Sequence, residues 1–280
     1  MKKILIIGKG SYIGEHIKNY IETTTENYTV DEMDTYNLKP RACNFNGIDT
    51  IIYVAGIAHI KETDKNRNLY YKINRDLTVQ VATTAKKQGV HQFIFLSSMS
   101  VYGKNSGVIT EHTRPEPVNS YGDSKLQAEQ LISPLRDKNF KVTILRPPMV
   151  YGKNCKGNFQ TVLKIIDKTP IFPEIHNIRS MIYIDHLCEF IKLCVVEERD
   201  GLCFPRNSTY VQTTGMAKII AGEKNRKVFF SKLLGIIVCL IRPFIPMANK
   251  AFGSLIYSET EKDNFSYCTV DETDSFKMSV

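Results

Sequence analysis

The sequence predicts an α/β fold, a doubly wound parallel sheet with helices on both faces. Three observations carry this. Short apolar runs alternate with helically spaced segments up to Pro147. The first of these runs ends in a glycine turn. Several runs are continuously apolar, as strands buried on both faces are. Strand, helix and strand in repetition imply right-handed crossovers and a sheet covered by helices.

Lys3–Ile7 is the first apolar run and is stopped by Gly8. Tyr12–Glu22 reads as a helix and Tyr28–Met33 as a second strand. Thr50–Ala55 is the third apolar run. Asn68–Lys87 has helical spacing through Leu69, Ile73, Leu77 and Val81, and Gly89 follows as a stop. Gln92–Ser97 is a strand closing in serines, Ser124–Arg136 a helix and Lys141–Leu145 a further strand. After Pro147 the alternation weakens while prolines and loops increase, which predicts a smaller second region. Residues 1–150, with 181–198, are expected to form the dinucleotide-binding part. Residues 151–180 and 199–280 are expected to form the part that binds substrate.

The chain has 280 residues, 42% hydrophobic and 24% charged, which excludes a mainly disordered, collagen-like or coiled-coil protein. Lys and Arg outnumber Asp and Glu by 37 to 29, a surplus that favours anionic ligands without singling out nucleic acid. The seven cysteines include no C-x-x-C pair and read as thiols of a reducing cytosol. The apolar start is too short for a secretory segment, so a cytoplasmic location is expected. Leu233–Ala251 is the most apolar later stretch, but Arg242, Pro243 and Pro246 interrupt it. It lacks the ~20 continuous apolar residues of a membrane span. It is read as helical packing. The competing reading is a peripheral membrane or partner contact by residues 224–256, because Lys224, Arg226, Lys227, Lys232 and Arg242 surround it. His16, His59, His91, His112, His176 and His186 lack metal-ligand spacing, so no metal is expected.

Gly8-Lys9-Gly10-Ser11-Tyr12-Ile13-Gly14 joins the first strand to the first helix. In such a turn backbone N–H groups and the positive helix end meet a pyrophosphate. Asp34 ends the second strand 20 residues beyond Gly14, where an acid accepts from an adenosine ribose. Its charge also repels a 2′-phosphate, which favours NAD over NADP, although Lys39 and Arg41 weaken that preference.

Tyr121 and Lys125 are four apart and share a helix face. Forming a phenolate at pH 7 costs roughly 4 kcal/mol, and a nearby ammonium or oxidised nicotinamide lowers that cost. Ser98, 23 residues upstream at a strand end, is placed to hold a substrate hydroxyl and share its proton. Ser97 or Ser100 is the alternative if the register differs.

Together these motifs, with Val54-Ala55-Gly56 and Leu145-Arg146-Pro147-Pro148-Met149-Val150-Tyr151-Gly152, resemble the extended short-chain dehydrogenase/reductase superfamily. The resemblance covers about residues 1–200 and is to its nucleotide-sugar epimerase/dehydratase branch, UDP-glucose 4-epimerase-like. It implies a Rossmann-type domain that holds NAD through Gly8, Gly10, Ser11, Tyr12, Ile13, Gly14, Asp34, Ala55, Gly56, Asn74, Lys125 and Pro148. It implies Tyr121 as the base, Lys125 as the holder of the nicotinamide ribose and Ser98 as the sugar-hydroxyl ligand, with Ser100 beside it. Asn158, in Gly157-Asn158-Phe159, is implied at the nucleotide diphosphate, and Arg179 at a phosphate. Asn74 is implied to steady the central helix against the active-site strand. A homodimer and a place in surface-polysaccharide synthesis are implied too.

The chain departs from this pattern at Ser11, which stands where the branch has its middle glycine. A Cβ there weakens phosphate binding unless Gly10 makes the close approach or the serine hydroxyl donates to the phosphate. The loop from Tyr36 to Ile48 lacks the branch's acidic–apolar adenine contact. Met99 and Ser100 replace the Asp-Glu pair of the dehydratases and neither is a general acid, so dehydration is not expected. The activity this leaves is 4-epimerisation of a UDP-hexose or UDP-N-acetylhexosamine. The alternative is NAD(P)H-dependent reduction of a UDP-4-keto-6-deoxy sugar. A non-catalytic dinucleotide-binding scaffold is disfavoured because both Tyr121 and Lys125 are kept.

Overall fold

The computed structural model describes residues 1–36, 38–58, 60, 62–245, 249, 251–258 and 266–280. His59 and Pro246 lie outside the described residues, as does the side chain of Arg41.

Six parallel strands form the central sheet: β1 (Lys2–Ile7), β2 (Tyr28–Met33), β3 (Thr50–Tyr53), β4 (Gln92–Leu96), β6 (Lys141–Leu145) and β10 (Gly201–Cys203). Their spatial order is β10-β6-β4-β3-β1-β2, with the reversal beside β1 and β3. A doubly wound sheet opens its ligand crevice at such a reversal, outside the carboxyl ends of the strands. Alternate side chains explain the two cores. Ile4 and Ile6 face one layer with Ile17, Ile21 and Ile191. Leu5 and Ile7 face the other with Val81, Ala85 and Ala128. Helices α1 (Tyr12–Thr24) and α6 (Ile184–Val196) cover the first face, while α3 (Thr78–Lys87) and α4 (Ser120–Ile132) cover the second.

The structure changes the sequence reading in four places. The helix expected from Ser124 begins at Ser120, because Asn119 caps it by accepting from the Gly122 N–H at 2.9 Å. The helix expected over 68–87 is α2 (Arg67–Tyr70), a π-helical segment (Tyr71–Leu77) and then α3. The wider π turn moves the buried stripe off Leu69, Ile73 and Leu77 and onto Tyr70, Asn74 and Thr78. Residues 201–203, assigned by the sequence to the substrate-binding part, form β10 at the edge of the main sheet. Fourth, Lys232–Ile241 is a helix, but most of its side chains face outward. The expectation that this stretch is packed is therefore corrected.

The remaining elements form a layer over the carboxyl ends of the strands. It contains the short pairs β7 (Met149–Tyr151) with β9 (Met181–Tyr183), β5 (Gly107–Ile109) with β12 (Leu255–Tyr257), and β8 (Ile171–Pro173) with β11 (Phe229–Ser231). Helices α5 (Asn158–Lys168), α7 (Thr213–Glu223), α8 (Lys232–Ile241) and α9 (Glu272–Met278) accompany them. No described helix is long and apolar enough to cross a membrane.

Candidate active site

The glycine turn is shaped by close backbone approach. Gly8 has φ +129°, and a Cβ there would lie 2.9 Å from Val54 Cγ2 and 3.0 Å from the Ala55 nitrogen. Only glycine lets β1 turn against the end of β3. A Cβ on Gly14 would lie 2.7 Å from Ser11 Oγ and 3.1 Å from the Gly8 carbonyl oxygen. Gly10, at φ +74°, has open space where a Cβ would sit. Ser11 caps α1, its Oγ accepting from the Gly14 N–H at 3.1 Å. The hydroxyl proton stays available to an anion, and the Tyr12 and Ile13 N–H groups belong to the unsatisfied first turn. The Tyr12 side chain faces away. Its ring packs on His16 with centroids 4.3 Å apart, and burial raises its phenol well above the usual range. Tyr12 therefore offers a dinucleotide its backbone only.

Asp34 follows β2 in an exposed position, one carboxylate oxygen accepting from the Tyr36 N–H at 3.0 Å. Ala55 is buried and Gly56 exposed where β3 ends. Pro148 is buried just past β6. The open space at Gly10, the free first turn of α1, the exposed carboxylate and the bare Gly56 lie along one edge of the sheet. They fit an adenine dinucleotide.

Asn74 projects inward from the π segment. Its Oδ1 accepts from the Ile57 N–H at 2.8 Å. Its Nδ2 donates to the Ile57 carbonyl and to Ser124 Oγ, both at 3.1 Å. Asn74 thus ties the loop after β3 to α4, a bracing contact, and a Cβ on Gly56 would lie 3.0 Å from its Oδ1.

The structure brings Ser98 near enough to Tyr121 for its hydroxyl to act on the phenol. The Ser98 hydroxyl also donates to Ser100 Oγ at 3.1 Å. Ser97 is not interchangeable with them: it is buried and its hydroxyl donates to Glu129. Gly122 makes the approach possible, since a Cβ there would lie 2.5 Å from the Ser100 carbonyl oxygen. Burial pushes the Tyr121 phenol above its ordinary range, and the nearby Ser98 hydroxyl pulls it partly back.

Lys125 is buried, its Nζ donating to the Leu96 carbonyl at 2.8 Å and lying 4.6 Å from the centre of the Phe95 ring. A Cβ on Gly56 would lie 3.1 Å from this Nζ. The ammonium therefore points to the ends of β3 and β4, where a ribose would lie. Burial pulls its pKa down to about 7, opposed by the Glu129 charge. The sequence expected this ammonium to depress the Tyr121 phenol. Burial acts on the two groups in opposite senses, raising the phenol and lowering the ammonium.

Behind the site lies a polar cluster that sequence reasoning did not find. Arg146 donates through Nε and Nη2 to the Glu129 carboxylate at 2.5–3.2 Å, and through Nη1 to the Tyr102 hydroxyl at 2.7 Å. Tyr257 donates to the Arg146 carbonyl at 2.7 Å. Glu129 lies four residues beyond Lys125 on the α4 face, a periodic signal that could have found it.

The candidate diphosphate residues sit in the C-terminal layer. Asn158 is the first residue of α5 and partly buried. Arg179 is deeply buried. Its Nη1 donates to the Gly253 carbonyl at 2.8 Å, and Nε has no hydrogen-bond partner among the described residues. Burial lowers its pKa to about 10. A buried guanidinium in that state gains from an anion. His186 is a satisfied core histidine: Nε2 accepts from the Val270 N–H at 3.3 Å while Nδ1 meets Asn207 Oδ1 at 3.0 Å.

A family model described as NAD dependent epimerase/dehydratase family matches residues 4–202. Among curated proteins, the chain is 29% identical over 209 residues to the N-acetyl-alpha-D-glucosaminyl-diphospho-ditrans,octacis-undecaprenol 4-epimerase of Escherichia coli O157:H7. That match covers 68% of this chain and 62% of that protein. It is 28% identical over 219 residues to the UDP-glucose 4-epimerase of Vibrio cholerae, covering 69% and 66%. Its matched part thus spans somewhat under two thirds of these relatives. Among solved structures, the UDP-glucuronic acid 4-epimerase from Bacillus cereus in complex with NAD aligns with TM-score 0.75 at 18% identity, over 99% of this chain and 95% of that one. The dTDP-4-dehydrorhamnose reductase from Bacillus anthracis str. Ames in complex with NADP aligns with TM-score 0.75 at 20% identity, over 100% and 98%.

Proposed function

The chain belongs to the NAD dependent epimerase/dehydratase family, and from that premise we propose that it is an NAD-dependent nucleotide-sugar 4-epimerase acting on a UDP-hexose or UDP-N-acetylhexosamine. The observation that carries this reading is the convergence of Ser98, Tyr121 and Lys125 at the carboxyl ends of β3 and β4. NAD, when bound, would accept a hydride from sugar C4 and return it to the opposite face.

This chain's residues would do the rest. Ser98 holds the 4-hydroxyl and relays its proton to the Tyr121 oxygen, whose ionisation the positive charge of an oxidised nicotinamide would favour. Lys125 holds the nicotinamide ribose next to Gly56. The first turn of α1 and Asp34 hold the pyrophosphate and the adenosine ribose, and the Asp34 charge disfavours a 2′-phosphate. Arg179 and Asn158 take the substrate diphosphate, which would satisfy the buried guanidinium. The 4-keto sugar turns over before the proton returns from Tyr121, so net redox change is zero. A homodimer serving surface-polysaccharide synthesis completes this reading.

The test is incubation with a panel of UDP-sugars in D₂O without added cofactor. The panel includes a polyprenyl-diphosphate sugar, the substrate type in the name of the E. coli relative. The expected result is C4 epimers that carry no solvent deuterium at C4. The second reading is reduction of a 4-keto-6-deoxy sugar, since a reductase and an epimerase align with this chain at the same TM-score of 0.75. Stoichiometric NAD(P)H consumption on a 4-keto sugar, with no epimerisation anywhere in the panel, would establish it instead.

A further inference from the structure

Helix α8 carries a dense run of exposed apolar side chains. Leu233 is 70% exposed, Leu240 69% and Phe244, just beyond the helix, 86%. Ile236, Ile237 and Ile241 are also exposed, so the outward side chains recur at three- and four-residue spacing. Gly235 fixes this orientation: a Cβ there would lie 2.0 Å from the Glu174 carbonyl oxygen, which binds the opposite side of α8 tightly to the end of β8. Phe229 and Ile171, paired in register in the adjoining strands, extend the patch at 68% and 46% exposure. A contiguous apolar face of this kind marks an interface.

The charge around it identifies the occupant. Residues 224–245 contain Lys224, Arg226, Lys227, Lys232 and Arg242 and no Asp or Glu. Lys224 is paired with Asp167 at 2.8 Å, and Arg226 and Arg242 donate to the Asp167 and Phe252 carbonyls, so Lys227 and Lys232 are the main charges of the rim. Lys227 and Lys232 are exposed. A second copy seated on this face in a two-fold pair would set two basic rims against each other, which opposes association. Anionic lipid headgroups complement the same rim. The ten residues of α8 extend about 15 Å, half of a ~30 Å hydrocarbon core, so the helix suits the interfacial plane and not a span.

We propose that α8 and Phe244 dock this protein peripherally on an anionic bilayer surface, with Leu233, Ile236, Ile237 and Leu240 entering the acyl boundary under a basic rim. The inference stands apart from the catalytic reading.

The chain contains no tryptophan, so Phe244→Trp places the only tryptophan on the face, read by excitation to the red of its 14 tyrosines. Full-length Phe244→Trp protein is mixed with vesicles of equal phosphatidylglycerol and phosphatidylcholine, or of phosphatidylcholine alone. Co-sedimentation and a blue shift of the emission are expected with the first only, and both weaken as salt is added. Leu233→Ser/Leu240→Ser in the same background, with an unchanged circular dichroism spectrum, is expected to reduce co-sedimentation by ~tenfold or more. Three results would overturn the proposal: no binding to the anionic vesicles, equal binding by the double-serine variant, or a lipid-free dimer that this variant dissociates.

Discussion

Tyr121 is held protonated by burial, and the Ser98 hydroxyl is the group in the structure that draws its pKa back down. Lys125 behaves oppositely. Its folded-state pKa of about 7 lies below the 10.5 of a free lysine, so the unfolded chain binds more protons between those values. Stability from this residue therefore rises with pH across that window, and the full penalty of burying it is felt below about pH 7. Lys125→Met is expected to stabilise the fold by on the order of 2–4 kcal/mol at pH 7 while abolishing turnover. Urea denaturation checks it: the gap to wild type narrows as pH approaches 10. A gap that does not change with pH contradicts the assignment of the low pKa. At this scale the sequence showed Tyr121, Lys125 and the serine cluster, because their spacing is local. It put the hydroxyl role on Ser98 and left Ser97 or Ser100 as alternatives, because the register at the strand end was open. Side-chain alternation at the strand end decides that, sending Ser97 to Glu129 and Ser98 to the phenol.

Helix α4 delivers the site through its capped start and one glycine. Gly122→Ala would drive a methyl group to within 2.5 Å of the Ser100 carbonyl. Moving that backbone costs about 1–3 kcal/mol and separates Tyr121 from Ser98. The expected outcome is a lower kcat with little change in KM, together with a lower denaturation midpoint. The π segment is the second delivering element. Asn74→Ala removes three hydrogen bonds joining the loop after β3 to α4. It is expected to cost about 1–3 kcal/mol and to weaken NAD binding in calorimetry. Helical periodicity revealed that a helix occupies this stretch. It could not reveal the π turn, because one added residue per turn shifts the buried face without changing composition. The start of α4 is at Ser120 and not at Ser124, because Asn119 has the non-helical backbone and the side-chain acceptor that capping needs.

On the scale of the whole molecule, Glu129 and Arg146 connect α4 to the end of β6, and through Tyr102 and Tyr257 to the C-terminal layer. Glu129→Ala leaves a buried guanidinium without its counter-charge and is expected to cost about 3–5 kcal/mol, measured by denaturant unfolding. A loss below ~1 kcal/mol would show that the cluster does not join the layers. The parallel sheet was legible because each buried strand is a continuous apolar run beside a helix. The C-terminal layer was not, because its paired strands have three residues each and no readable period. Arg179 was reached through the resemblance alone, and its burial against the Gly253 carbonyl became visible only in the fold. The outward face of α8 was equally hidden, since an apolar helix reads as core until its surroundings are known.

The central claim is that the Tyr121 phenol exchanges the proton of the sugar 4-hydroxyl. The most direct measurement is the rate of C4 epimerisation by wild type and by Tyr121→Phe, without added cofactor and with the bound dinucleotide quantified in both. Removing one hydroxyl from a folded, dinucleotide-loaded protein is predicted to slow turnover by ~10²–10⁴-fold. Tyr121→Phe protein turning over at the wild-type rate would contradict the account.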